Sequence, residues 1–198
     1  MDDIVKAALA KWPDVPHCTG WLLLDRRGQW RMRDEAAQQQ GALGTPVRHA
    51  ALLGFINRNY ECDEQGQWFF QNGPQRVYVE LAYAPWVVRL ALDASGTPTL
   101  TDQTGRPFAP SAGLVDDEGG VLLVDTSQPA RVALLHDHDL DLFADLAHLE
   151  PDGCTGRLAW RADATLPLSA IHHADVARRF GFVASPANAR LADTARPA

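Results

Sequence analysis

Apolar and polar positions along this chain alternate on two periods, and the switches between them mark its elements. Residues 2 to 12, "DDIVKAALAKW", repeat at helical spacing. Ile4, Val5, Ala8, Leu9 and Trp12 form one stripe, acidic residues open the segment, Lys11 closes it and Pro13 stops it. In "GWLLLDRRGQWRMRD" the period drops to two on either side of Asp25-Arg26-Arg27-Gly28, with Asp at the first turn position and Gly at the left-handed one. Pairing Asp25 with Gln29 sets Leu24 opposite Trp30 and Leu22 opposite Met32, with Arg31 and Arg33 on the other face. Residues 45 to 60, "TPVRHAALLGFINRNY", return to helical spacing, with Thr45 as N-cap, Pro46 in the first turn and Val47, Ala51, Leu52, Phe55 and Ile56 on one face. A second hairpin follows. "DEQGQWFF" at 63–70 matches "DRRGQWRM" at 25–32, and pairing Asp63 with Gln67 sets Cys62 against Trp68 and Tyr60 against Phe70.

The D-x-x-G spacing recurs at Asp93–Gly96, Asp102–Gly105 and Asp116–Gly119. Chance supplies roughly one or two such spacings in a chain of this composition, so the recurrence is a turn signal. The two fuller copies suggest an old duplication. Farther on, "WVVRLAL", "GVLLVD", "ARVALL" and "GRLAW" read as strands, while "DLDLFADLAHL" (139–149) and "PLSAIHHADVARRFG" (167–181) read as helices stopped by Pro151 with Gly153 and by Gly181. From Ala184 the sequence "ASPANARLADTARPA" is poor in apolar residues and reads as a loose tail.

The densest stretch is "GQWFFQNGPQRVYVEL", residues 66 to 81. With Asn72-Gly73 as a tight turn, Phe70 faces Gln75 and Phe69 faces Arg76. Pro74 makes that turn imperfect, so the register can slip. Trp68, Phe70, Val77 and Val79 then share the core face; Phe69, Gln71, Arg76, Tyr78 and Glu80 share the other. Aromatics beside Arg on an outer face have the composition of a binding surface, and Phe69 under Arg76 can add a cation–π contact. Two outcomes stay open. Either Phe69, Gln71, Asn72, Gly73, Pro74, Arg76 and Tyr78 meet a partner, or the face is covered by another part of the chain, such as a helix or the "APW" segment.

Composition narrows the field. At 198 residues, 46% hydrophobic and 22% charged, the chain is long enough to bury a real core. The formal charge of −7 and the scattered Lys and Arg argue against nucleic acid. No apolar run approaches the ~20 residues that span a bilayer. The start, Met1-Asp2-Asp3, is unlike a secretory signal, and Cys18, Cys62 and Cys154 are odd in number and far apart, which fits a cytoplasmic location.

Three features in order, "GQW" with a basic strand, "GTPV" opening a helix, and a D-x-x-G-x-W hairpin running into "Q-x-G-P-x-R-V-x-V-E" and "APW", resemble uncharacterised proteobacterial families of unknown function. The resemblance covers residues 20 to 92. It implies repeated units in which curved β-hairpins wrap around a helix, and a signalling role; it carries no catalytic residue to any position here.

Candidate chemistry is thin. His136-x-His138 puts two imidazoles on one side of a strand, half of a metal site, yet polar capping explains the same residues and no further ligand motif completes the set. His172, four residues before Val176, reads as a packed core histidine, and Cys62 as an inert hairpin-core thiol; a Cys62–His49 dyad has no activating motif around it. Asp116-Asp117-Glu118 reads as a solvated loop tip. There is no GxxxxGK[ST], GxGxxG after a strand, HExxH or GxSxG.

The expectation is therefore an α+β protein of two similar subdomains, 1–92 and 93–183, each of antiparallel β-hairpins curved around or packed on a helix, with 184–198 as tail. It needs no cofactor, metal or catalytic residue and works as a non-catalytic binding or regulatory module for an unknown protein or small-molecule ligand. An enzyme, such as a hydrolase with a site between the subdomains, and a homodimer using the aromatic face are the competing readings.

Overall fold

The computed structural model describes residues 1–127, 130–161 and 163–194. The chain starts with α1 (Asp3–Lys11), β1 (Cys18–Leu24), β2 (Trp30–Met32), α2 (Glu35–Gln39), β3 (Thr45–Pro46) and α3 (Ala50–Arg58). Three strands follow, β4 (Tyr60–Cys62), β5 (Trp68–Asn72) and β6 (Gln75–Leu81). The middle of the chain holds β7 (Trp86–Leu92), β8 (Pro98–Asp102), β9 (Pro110–Asp116), β10 (Val121–Asp125) and β11 (Val132–Leu135). After a 3-10 turn come α4 (Leu140–Leu146), β12 (Ala147–Leu149), β13 (Gly156–Arg161), β14 (Ala164–Ile171), a second 3-10 turn, α5 (Val176–Phe180) and α6 (Pro186–Thr194).

The fold is α+β: two curled sheets and short helices. Among the described residues, one sheet runs β3-β2-β1-β6-β5-β4 and the other β12-β13-β14-β9-β10-β11-β7-β8. Hairpins supply the antiparallel pairs, and parallel contacts β1/β6, β7/β11 and β9/β14 join them. Contacts divide the chain into one unit of 1–25, 29–83 and 181–198, and a second of 26–28 and 84–180. The division falls at Tyr83/Ala84 rather than near Asp93, because β7 pairs with β8 and β11 of the second sheet. The described part of the tail, 184–194, groups with the first unit.

The D-x-x-G turns share one geometry. In the turn at Asp63, the backbone N–H donates to Gln67 O at 3.0 Å, and Oδ1 accepts from the amides of Gln65 and Gln67, both at 2.9 Å. Asp93, Asp102 and Asp116 repeat the pattern, each taking the amides two and four residues on. The carboxylate closes the turn and the glycine adopts a positive φ, so the motif fixes each hairpin's register locally. Leu24↔Trp30, Leu22↔Met32, Cys62↔Trp68 and Tyr60↔Phe70 pair as the sequence predicts.

The first unit's core lies between its sheet and α3. Trp30 is buried and its Nε1 donates to Asn57 Oδ1 at 2.7 Å; its ring meets Tyr60 edge-on at 5.0 Å, and Tyr60 meets Trp68 at 4.8 Å. Phe55 and Ile56 of α3 close the layer, Phe55 standing edge-on to Phe70 at 5.3 Å. In the second unit Val88, Leu122, Val132, Leu158 and Leu168 of the strands are buried, as is Phe143 of α4.

Several expectations need correction. The helix expected at 45–60 begins only at Ala50, with His49 Nδ1 accepting from Leu52 N at 3.3 Å; Thr45 and Pro46 instead pair with β2 at the sheet edge, where proline's missing N–H costs nothing. Of the α1 stripe only Val5 is buried, while Ile4 is 77% exposed. The segment 139–149 is helical only to Leu146, because residues 147–149 pair with β13. Residues 167–171 are strand: Leu166 and Leu168 are buried and alternate with exposed neighbours, and β14 runs parallel to β9. Residues 186–194 form a helix rather than a loose tail; residues 195–198 lie outside the described residues.

Candidate functional site

The β5–β6 hairpin keeps the expected faces but shifts register by two. Phe69 pairs with Tyr78, Phe70 with Val77, Gln71 with Arg76 and Asn72 with Gln75. Gly73 and Pro74 are the two turn residues. Gly73 takes φ +57°, and proline's fixed negative φ suits the second position of a type II′ turn. With Asn72-Gly73 central, Pro74 would have to supply the closing N–H that it lacks. An even shift leaves each side chain on its predicted face.

The outer face is largely covered. Phe69 is 3% exposed, Tyr78 4% and Gln71 0%, while Arg76, Gly73 and Pro74 are half-buried and Asn72 is exposed. Over Tyr78 and Glu80 the cover is the chain's own C-terminal segment. Leu81 N donates to Ala184 O at 2.8 Å, Val183 N to Gly66 O at 2.9 Å, and α6 packs on β1 and β6. Glu80, buried in the sheet, accepts from Ser185 Oγ at 2.5 Å and Ala187 N at 3.1 Å, capping α6 from the sheet. The Arg190 guanidinium then lies 4.8 Å over the Tyr78 ring. Gln71 Nε2 holds the turn through Gly73 O at 2.9 Å; its buried Oε1 has no hydrogen-bond partner among the described residues.

Part of the face stays open. A cleft of about 470 Å³ is lined by Phe69, Arg76 and Tyr78 together with Glu61, Cys62, Asp63, Glu64 and Gln65. The Arg76 guanidinium stacks on Phe69 at 4.5 Å and has no carboxylate or hydrogen-bond partner among the described residues. Asp63 is fully used by its turn amides and by Tyr78 Oη, which donates to Oδ2 at 3.2 Å. His17 stands edge-on to Tyr78 at 5.8 Å; burial and then the charges of Arg76 and Arg190 lower its proton affinity. Of these residues, sequence reasoning missed Glu61, Glu64 and Gln65, which their positions across from and beside the hairpin could have flagged, and His17 and Arg190, which only tertiary contacts bring here.

Burial separates the two members of the cation–π pair. Phe69→Ala should cost about 3–5 kcal/mol in denaturant unfolding, whereas Arg76→Gln should cost less than about 1 kcal/mol. Comparable losses for both would contradict the placement of Phe69 in the core and Arg76 at the rim.

The other candidates assemble differently. His136 caps the 3-10 turn, its Nδ1 accepting from His138 N at 3.1 Å, and the two rings lie 4.8 Å apart. Among the described residues no group of three or more His, Cys, Asp or Glu is placed to hold a metal. His172 is exposed, not packed in a core: it sits where β14 ends and shares a hydrogen bond with Asp117 Oδ2 at 3.0 Å, which raises its proton affinity. Cys62 is exposed at the sheet edge although it pairs opposite Trp68; burial of its thiol and then the Asp63 charge push it up to about 11, so the thiolate is disfavoured. Asp116 is buried and holds its turn, so only its neighbours form the loop tip. Among the described residues no helix is long and apolar enough to cross a membrane.

No curated protein matches the chain. A solved structure of a DUF1285 family protein from Silicibacter pomeroyi DSS-3 is similar over 82% of this chain and 87% of that one, with 18% identity and a TM-score of 0.51. A DUF1285 family protein from Shewanella baltica OS155 aligns over 64% of this chain and 91% of that one, with 13% identity and a TM-score of 0.40. The first likeness supports the α+β architecture, and the resemblance to uncharacterised families is borne out. A family model described as "Protein of unknown function (DUF2946)" matches residues 1–187, and the chain belongs to that family, DUF2944.

Proposed function

We infer that this chain is a non-catalytic binding module of a regulatory, signalling kind, and that its ligand site is the cleft over Phe69. One observation carries the reading. Arg76 is held over an aromatic ring in the lining of a cleft, without a carboxylate to neutralise it among the described residues. A guanidinium so placed is prepared for a ligand group rather than for the fold, since its removal leaves no partner unsatisfied. The volume of about 470 Å³ lies within the range of small-molecule sites. The hairpin-tip residues Asn72, Gly73 and Pro74 do not line this cleft.

The test is side-chain NMR with a panel of anionic, cationic, neutral and dipolar fragments. At least one class should shift the Phe69, Arg76 and Tyr78 signals saturably, and the shifts should vanish in Arg76→Gln. Signals that stay still across the panel, or that move equally in the variant, would contradict the reading.

A further inference from the structure

Resting on that reading, we propose that the cleft takes a short free peptide, two or three residues long, with its carboxylate at Arg76 and its ammonium at Glu61 and Glu64. The two ends of the cleft carry opposite charge. At the β6 side Arg76 stacks on Phe69 at 4.5 Å; Arg190 and His17 meet the Tyr78 ring at 4.8 and 5.8 Å and add positive charge near the cleft without lining it. An oxyanion here is offered charge-assisted hydrogen bonds, stronger than neutral ones. At the β4 end stand Glu61 and Glu64. Asp63 is excluded as a ligand group because its turn and Tyr78 use both oxygens. Glu61 Oε1 already holds one ammonium, that of Met1 at 3.3 Å, so a ligand ammonium is left with Glu64 and the second Glu61 oxygen.

This polarity selects by exclusion as well as attraction. A multiply charged phosphate is repelled by the acidic residues, and a simple cation by the Arg76 guanidinium. A molecule with one charge of each sign satisfies both ends. The span sets its length. The Arg76 guanidinium lies over Phe69, which pairs with Glu61 one strand spacing away, about 5 Å, and Glu64 stands farther on, in the turn after β4. An extended chain advances about 3.3–3.6 Å per residue, which matches two or three residues.

Calorimetry on the intact chain tests this with triglycine, its N-acetyl form, its C-terminal amide and inorganic phosphate. Triglycine should bind saturably, and loss of either terminal charge should weaken binding at least tenfold. Arg76→Gln should remove the preference for triglycine over its amide, Arg76→Lys should recover part of it, and Glu64→Gln should narrow the preference over the acetylated form. Binding should also raise the His17 titration midpoint, because an anion offsets the two arginine charges. Absent heat with triglycine, or equal binding of phosphate or acetylated peptide, overturns the assignment. If triglycine fails while another fragment class occupies the cleft, the peptide assignment falls and the binding reading stands; if no fragment binds, both fall.

Discussion

Replacing Arg131 by methionine should lower the unfolding free energy by about 3–5 kcal/mol, the range for removing one partner of a buried ion pair. Arg131 Nε donates to Asp125 Oδ2 at 2.6 Å and its Nη1 to Asp102 Oδ2 at 3.3 Å. The two carboxylate side chains are 4% and 0% exposed, so neither gains water when the guanidinium goes. The guanidinium also lies 4.9 Å over Phe108 and 5.3 Å over Trp86, contacts that methionine replaces only by packing. The change has a pH signature. Burial alone would raise the Asp125 proton affinity, but hydrogen bonds from Ser127 and Arg131 outweigh it and hold the carboxyl below its ordinary value of 3.8. A depressed carboxyl stabilises the fold above the ordinary carboxylate range, and that contribution is lost as pH falls through the folded value. In the variant burial is less opposed and the carboxyl moves back toward its ordinary value, so this acid-dependent share of the stability should shrink and the acid limb should become shallower. A loss under about 1 kcal/mol with an unchanged acid limb would show that water reaches both carboxylates.

The second large effect is expected at Gly66, by comparison with Gly105. Both are the glycine of a D-x-x-G turn, with φ +77° and +85°, so alanine at either meets the left-handed penalty of about 1–2 kcal/mol. Only Gly66 adds a collision. A Cβ there would fall 2.1 Å from Gly181 O, in backbone that cannot swing aside, whereas one at Gly105 meets nothing within 4 Å. Gly66 O also accepts from Val183 N at 2.9 Å, and Gln67 bridges to Val183, so the collision lies where the C-terminal segment is tied to the first sheet. Gly66→Ala should therefore cost at least about 2 kcal/mol more than Gly105→Ala, and the excess should appear as earlier release of residues 181–190 in hydrogen exchange. Equal losses would mean that the segment yields freely.

This contrast also explains what could be read from the sequence. Local chemistry was legible: Asp25 and Asp63 close their own turns, and the registers Leu24↔Trp30 and Tyr60↔Phe70 follow within a few residues. The shift at Gly73-Pro74 was decided just as locally, by a missing N–H and a fixed φ. Non-local partners were not legible. Residues 167–171 carry apolar spacings that suit a helix, but β9, more than fifty residues earlier in the chain, makes them a parallel strand. The segment read as a tail has too few apolar residues to announce a helix; its cap comes from Glu80, 105 residues before Ser185. That one long-range contact places α6 over Tyr78. An aromatic face expected to be either wholly open or wholly covered is instead partly covered, with Arg76 in the lining of the open cleft. The residue types of the site were visible in "FFQNGPQRVY"; its shape depended on chain more than a hundred residues away.

The most direct test of the account is the Arg76 Nε–Hε signal, followed together with the Tyr78 ring while triglycine is added to the intact chain. Both should move along one saturable curve, and core signals such as Trp30 Nε1–H should stay in place. An Arg76 signal that does not move while the Trp30 signal reports an intact fold would contradict the assignment of this cleft to a short free peptide.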